Sequence, residues 1–303
     1  MTATISSFGE VGLIRRMSRR LPSAPFVRIG IGDDAAVLRP LGRGDLLFAS
    51  DMLVEGAHFR RGDVAPRWIG WKALAANVSD IAAMGGVPTC AVVSLGLPKT
   101  TAVSFVDGLS RGLAACAKRF GVAVVGGDTV RAPCVVVDVA ILGTVPSGQA
   151  VLRSGAKVDD HLFVTGRLGG SLARGRHARF VPRVREAQWL VRRLPIHAMM
   201  DLSDGLASDA WQMARASRVT LRFEAAKIPV SRVGKTVAHA LMDGEDFELL
   251  FAVPPRAARR VPHMIGATPV TEIGVIVKHG VAVELVNRHG QIHPLKPAGF
   301  AHF

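Results

Sequence analysis

Between Trp68 and Met84 apolar residues return at positions 68, 71, 74, 75, 78, 81 and 82, and Gly85-Gly86 end the run. This is the spacing of a helix with one buried face, and a glycine pair is a natural stop for it. Short apolar runs flank it, Leu46 to Ser50 before and Thr89 to Leu97 after. Both predict strands, the first delivering Asp51 at its tip. A second helix is predicted over Ala102 to Phe120, closed by Gly121, with strands at Val122 to Val125 and Val135 to Leu142. Single strands alternating with helices imply an α/β domain.

The composition shifts at Pro146-Ser147-Gly148, and the pattern restarts at His161 to Thr165. Helices are predicted near Arg183 to Leu194 and Leu206 to Ala216, and strands near Thr220 to Phe223, Phe247 to Val253, Gly274 to Val277 and Ala282 to Val286. Two α/β domains, residues 1–148 and 149–303, account for the 303 residues. Ahead of them Ser7 and Glu10 have capping-box spacing, and Val11, Leu13, Ile14 and Met17 alternate with Arg15, Arg16, Arg19 and Arg20. That predicts an N-terminal helix with a basic wet face.

With 49% hydrophobic and 20% charged residues the chain is globular rather than disordered. Its net charge of +14 comes from dispersed arginines with no aromatic stacking pattern beside them, which predicts a solvated surface rather than a nucleic-acid site. Cys90, Cys116 and Cys134 lie too far apart for a zinc knuckle or a redox pair and predict buried thiols in a reducing compartment. The most apolar stretch, Cys134 to Val145, contains Asp138 and is too short to span a bilayer. The first ten residues lack a basic leader pattern. A cytoplasmic protein is expected.

The aspartates carry the chemical signal. Of 16 Asp, seven adjoin a glycine: 33, 45, 63, 107, 128, 204 and 243. Turn chemistry covers Asp45, Asp63 and Asp107. It covers less well Gly32-Asp33-Asp34, Ser50-Asp51, Asn77-Val78-Ser79-Asp80, Gly126-Gly127-Asp128-Thr129 and Asp201-Leu202-Ser203-Asp204-Gly205. Short carboxylates suit hard oxygen-seeking cations such as Mg²⁺, and five acidic segments that converge cannot be buried without cations. The glycine pairs at 126–127 and 169–170, with Gly30 and Gly32, offer backbone that can approach phosphate oxygens closely. No GxxxxGK[ST], strand-to-helix GxGxxG or GxSxG is present, which excludes a P-loop and argues against a dinucleotide fold or a serine nucleophile.

Seven segments in order are GIGDDAAVL from Gly30, SDMLVEGAHF from Ser50, KALAANVSDIAAMGG from Lys72, GGDT from Gly126, LRSGAK from Leu152, MDLSDGLASD from Met200 and DGEDFELLF from Asp243. Together they resemble the thiamine-monophosphate kinase family, of the ATP-binding superfamily that includes aminoimidazole ribonucleotide synthetase. The resemblance implies a two-domain PurM-like architecture of mixed α/β class, with an N-terminal ATP- and Mg²⁺-binding domain that forms a homodimer and a C-terminal domain that completes the site. It implies that Asp34, Ser50, Asp51, Asp80, Asp128, Asp201 and Asp204 surround Mg²⁺. Gly127, Arg153 and Ser203 are implied to hold ATP, and His58 and Glu245 to contact thiamine monophosphate; Asp33 is left to support its loop.

The implied reaction moves the γ-phosphoryl group of ATP onto an acceptor phosphate already ionised, so no general base is expected. Pro297 stands where many members carry an aromatic residue, leaving Phe300 or a partner residue to substitute, and the segment from Gly170 to Pro182 is short. The alternatives are an amidine-forming or selenophosphate-type synthetase of the same superfamily, or a basic nucleic-acid-binding module.

Overall fold

A computed structural model describes residues 27–29, 33–34, 36–38 and 44–300. The helix expected from Ser7 and the glycines at 30 and 32 lie outside the described residues. Strands β1 (Val27–Ile29), β2 (Ala36–Leu38), β3 (Asp45–Val54), β4 (Val87–Leu97), β5 (Ala123–Arg131) and β6 (Val136–Val145) form one sheet in the order β1-β2-β3-β6-β4-β5. All neighbours are antiparallel except β4 and β5. Strand-helix alternation therefore produces a mixed sheet.

Two helices, α1 (Pro66–Ala83) and α2 (Val103–Phe120), cover one face of this sheet. Their core partners are every second strand residue, among them Leu47, Leu53, Val93, Val137, Val139 and Ile141. Gly121 closes α2 in the left-handed conformation at φ 69°, as its glycine predicts. The alternate strand positions face the other way and stay open, with Phe48, Met52, Val92 and Val130 between 40% and 56% exposed.

The second sheet runs β14-β13-β9-β12-β7-β10-β8, built from β7 (His161–Thr165), β8 (Ala198–Asp201), β9 (Val219–Glu224), β10 (Leu249–Val253), β12 (Thr268–His279), β13 (Ala282–Val286) and β14 (Ile292–Pro294), with β11 (Met264–Ile265) beside β12. Helices α4 (Leu206–Ser217) and α5 (Val237–Met242) pack on one face and α3 (Val184–Arg193) on the other.

Three sequence expectations are corrected. The first strand continues to Val54, so Asp51 lies within β3 and not at its tip, because Met52-Leu53-Val54 keep the strand pattern going. The strand expected over Val122 to Val125 runs on through Gly126-Gly127-Asp128-Thr129 to Arg131, so that segment lies inside β5. Helix α1 is buried all round: one side meets the first sheet, and Ala82 and Ala83 join the core that includes Leu190, Met199 and Phe251 of the second domain. Its polar residues Lys72, Asn77 and Ser79 are consequently at most 1% exposed.

Asp45 is more than a turn residue. It accepts hydrogen bonds from Arg28 at 2.6 Å, Ser147 at 3.1 Å and the Gly148 amide at 2.8 Å, and these partners hold its carboxyl below the usual range despite burial. Cys116 is buried, whereas Cys90 and Cys134 are half-buried, and all three are free thiols. Among the described residues no helix is long and apolar enough to cross a membrane.

Candidate active site

Four separate segments meet where α1 runs between the domains. Carboxylate oxygens of Asp34, from the loop after β1, Asp80, from the last turn of α1, and Asp201, at the end of β8, all lie within 4.8 Å of one another. Asp51 joins them from β3, close enough to Asp34 and Asp80 for the acids to act on one another. The cluster is braced by buried polar side chains. Asn77 Oδ1 accepts the Asp51 amide at 3.1 Å while its Nδ2 donates to the Ala73 carbonyl at 3.0 Å, and Ser79 donates to Asp201 at 2.5 Å.

Charge is the dominant fact about this cluster. Burial, reinforced by the Asp34 and Asp138 charges, pushes the Asp51 carboxyl up to about 6. Burial and Asp34 push Asp201 up to about 8, against the pull of the Ser79 hydrogen bond and Arg153, and Asp80 is raised well above the carboxylate range by burial and its acidic neighbours. Asp34 Oδ2 is buried and has no hydrogen-bond partner among the described residues. A compact set of hard oxygen donors, short of positive charge and with one donor atom unused, fits a divalent cation such as Mg²⁺.

Arg153 is engaged within the protein. Its guanidinium pairs with Asp34, lies 3.6 Å from Asp33 through Nε and donates to Gln212 at 2.9 Å, and the buried Asp pair raises its pKa further. Asp33 accepts the Arg153 amide at 3.1 Å and the Asp34 amide at 3.0 Å, so it organises the loop, as the sequence suggested. Its own carboxyl is pushed up to about 6, mainly by burial.

Asp204 sits at the start of α4, where Asp209 Oδ2 accepts the Asp204 and Gly205 amides, both at 3.1 Å. Asp209, 1% exposed, was missed by sequence reasoning. Its signal was present, an acid four residues beyond a glycine at a helix start, where free amides need an acceptor. Ser203 contributes its carbonyl to the Glu245 amide at 2.6 Å.

Asp128 and Ser50 are not brought into the cluster. Strand register aligns Met52, Asp138, Ser94 and Asp128 in one cross-strand row, on the open face of the first sheet. Ser50 Oγ donates to Asp138 on the same face at 3.1 Å. Met52, Asp128 and Asp138 line a cavity there of about 310 Å³. Gly127 faces the other way, and a Cβ on it would lie 1.8 Å from the Val93 carbonyl oxygen, so only glycine allows the β4–β5 approach.

His58 and Glu245 come from different domains and meet at Lys72. The Lys72 ammonium donates to the His58 carbonyl at 3.1 Å and pairs with the Glu245 carboxylate. His58 Nδ1 accepts the Val54 amide at 3.0 Å, and its ring centroid is 6.2 Å from that of Phe300. Glu245 and Phe247 have left-handed backbone, φ 52° and 50°, and their amides are anchored on Ser203 and Leu202. Phe247 stacks on Phe180 with centroids 3.8 Å apart. Beside Glu245 lies a cavity of about 210 Å³ lined by Ser171, Arg176, Arg183 and Asp246 among others. A larger cavity of about 1040 Å³, lined by Val87, Val151, Gln188 and Arg192 among others, contains no carboxylate, so charge and donor chemistry rather than volume locate the site.

Residues 32–145 match the family model of the AIR synthase related protein N-terminal domain, and residues 148–286 that of its C-terminal domain. The chain is 39% identical to the thiamine-monophosphate kinase of Rhodopirellula baltica over 282 residues, 87% of either chain. It is 33% identical to that of Bacillus subtilis over 323 residues, covering 97% of this chain and 99% of the relative. A solved structure described as AaThiL complexed with AMPPCP and TMP superposes with a TM-score of 0.87 at 31% identity over 100% of both chains. Full-length likeness of sequence and fold, on a chain whose separated acidic motifs converge, places this protein in the thiamine-monophosphate kinase family of AIR synthase related proteins.

Proposed function

We propose that this protein transfers the γ-phosphoryl group of ATP to the phosphate of thiamine monophosphate, giving thiamine diphosphate and ADP. The reading is carried by the convergence of Asp34, Asp51, Asp80 and Asp201. The complex of AaThiL with AMPPCP and TMP supports it from a neighbour of the same fold.

Asp34, Asp51, Asp80 and Asp201 would hold Mg²⁺, with Asp204 close by. Bound there, Mg²⁺ would neutralise charge between an anionic acceptor and the triphosphate. Asn77 anchors the backbone of Asp51 and Ser79 holds the Asp201 carboxylate, so this part of the donor set need not reorganise on binding. Arg153 balances Asp33 and Asp34 in the free protein and offers a guanidinium to nucleotide phosphate, together with Gly127 and Ser203. His58 and Glu245 would contact thiamine monophosphate, with Phe300 supplying an aromatic ring where Pro297 cannot.

In this reading residues 1–148 bind nucleotide and metal and pair with a second copy, and residues 149–303 complete the site. The open apolar face with Phe48, Met52, Val92 and Val130 supports such a homodimer, and it is also where Ser50 and Asp128 are found. Free thiols at positions 90, 116 and 134 suit the reducing cytoplasm.

The test is to mix protein, ATP and Mg²⁺ with thiamine monophosphate, free thiamine or formylglycinamidine ribonucleotide and to separate the products. Thiamine diphosphate and ADP formed from the first acceptor alone is the expected result. Turnover of another acceptor, or of none, would overturn the assignment.

A further inference from the structure

Lys72 is 1% exposed, among the most completely buried large side chains of the protein, in a stretch of α1 otherwise made of Trp71 and Ala73 to Ala76. A buried ammonium is costly unless it is paired and hydrogen-bonded. Among the described residues its partners are the His58 carbonyl, on the loop after β3, and the Glu245 carboxylate, on the segment before β10. One cation therefore ties together an N-terminal loop, a central helix and a C-terminal loop.

We infer that Lys72 is a positioning residue for the acceptor substrate, fixing the Glu245 carboxylate and the His58 loop in the arrangement that receives thiamine monophosphate. The inference rests on the proposed role of His58 and Glu245, which the sequence motifs suggest but which says nothing of Lys72. Glu245 needs such support. Its backbone is held in the left-handed region, its side chain is only 18% exposed, and Lys72 is its ion-pair partner. The ammonium transfers no proton in this role; it sets geometry, and its loss should be felt in the affinity for one substrate only.

The experiment compares steady-state kinetics of wild type, Lys72→Met, Lys72→Gln and Lys72→Arg, each checked by thermal unfolding. A folded neutral variant is expected to raise KM for thiamine monophosphate about tenfold or more, the loss of a charge-assisted contact, while KM for ATP stays within about twofold and kcat within about threefold. Lys72→Arg, which keeps a cation and donors, should recover most of the KM change. An unchanged KM for thiamine monophosphate in a folded neutral variant would overturn the inference, as would equal losses for both substrates. Failure of both neutral variants to fold would also overturn it, since Lys72 would then serve the fold and not the pocket. If wild type itself turns over no thiamine monophosphate, the functional reading falls first and this inference with it; turnover by wild type with an unaffected variant removes the inference alone.

Discussion

Ser79 Oγ lies 2.5 Å from Asp201 Oδ2, so the end of a helix from one domain aims the carboxylate at the end of a strand from the other. Both residues are at most 3% exposed, and the hydroxyl favours the ionised form of an acid whose carboxyl burial pushes up. Replacing Ser79 with Ala removes that donor without adding bulk. The expected cost is about 1–3 kcal/mol in stability, read by thermal unfolding, together with a several-fold rise in the Mg²⁺ concentration needed for half-maximal turnover. An unchanged Mg²⁺ requirement would mean that Asp201 does not act as a ligand.

Asp51→Asn separates folding from function. The substitution removes one negative charge from a crowded buried cluster, so the metal-free protein should melt at the same temperature as wild type or higher. Turnover should fall by roughly two orders of magnitude or more, because a ligand charge is missing where phosphate charge gathers. Asp128→Asn asks the same of a carboxylate that lies on the open face, outside the cluster. A loss of turnover as deep as that of Asp51→Asn would bring Asp128 into the reaction, and full activity at limiting Mg²⁺ would remove it.

The contrast between those two aspartates shows what a linear reading can and cannot reach. Asp34, Asp51, Asp80 and Asp201 stood out because each lies beside small or polar neighbours in an apolar setting, and they converge. Asp128 had the same local signature, but facing is decided by strand register, and pairing with Ser94 turns it to the other side of the sheet. Helix α1 was legible as a helix from its 3.6-residue period, whereas its second buried side depends on the packing of Ala82 and Ala83 against another domain, which no local pattern encodes. For the same reason the burial of Lys72, Asn77 and Ser79 follows from the packing of two domains and not from the helix's own period. Predicted strands were mostly too short, because β-branched residues beyond their apolar cores, such as Val54 and Val130, continue the ladder.

The raised carboxyls give stability a definite pH dependence. Asp51 at about 6 and Asp201 at about 8 bind protons more tightly folded than unfolded, where an aspartate titrates near 3.8. From about pH 3.8 upward the folded state carries more protons, so the stability that these groups contribute is complete below that pH and declines steadily as pH rises toward 8. The metal-free protein should therefore melt several degrees lower at pH 8 than at pH 5.5. Added Mg²⁺ should restore most of the loss, and its stabilising effect should be larger at the higher pH, because it competes with protons for the same oxygens. A melting temperature that rises with pH in the absence of metal would contradict the clustering of these acids.

Met52→Asp tests the pairing of two copies through the open face. Met52 is 52% exposed and aligns with Asp138 across the β3–β6 ladder, in the same row as Asp128. A carboxylate placed there adds like charge beside Asp138 and wets an apolar surface that a second copy would cover. Because the side chain already faces away from the helices, the fold itself should lose less than about 1 kcal/mol, the usual range for a surface change. Sedimentation equilibrium is expected to give twice the 32.2 kDa chain mass for wild type and a single chain mass for the variant. Wild type sedimenting as a single chain at micromolar concentration would remove the dimer from the proposal, while leaving the carboxylate cluster, which lies on the opposite side of the sheet, as it stands.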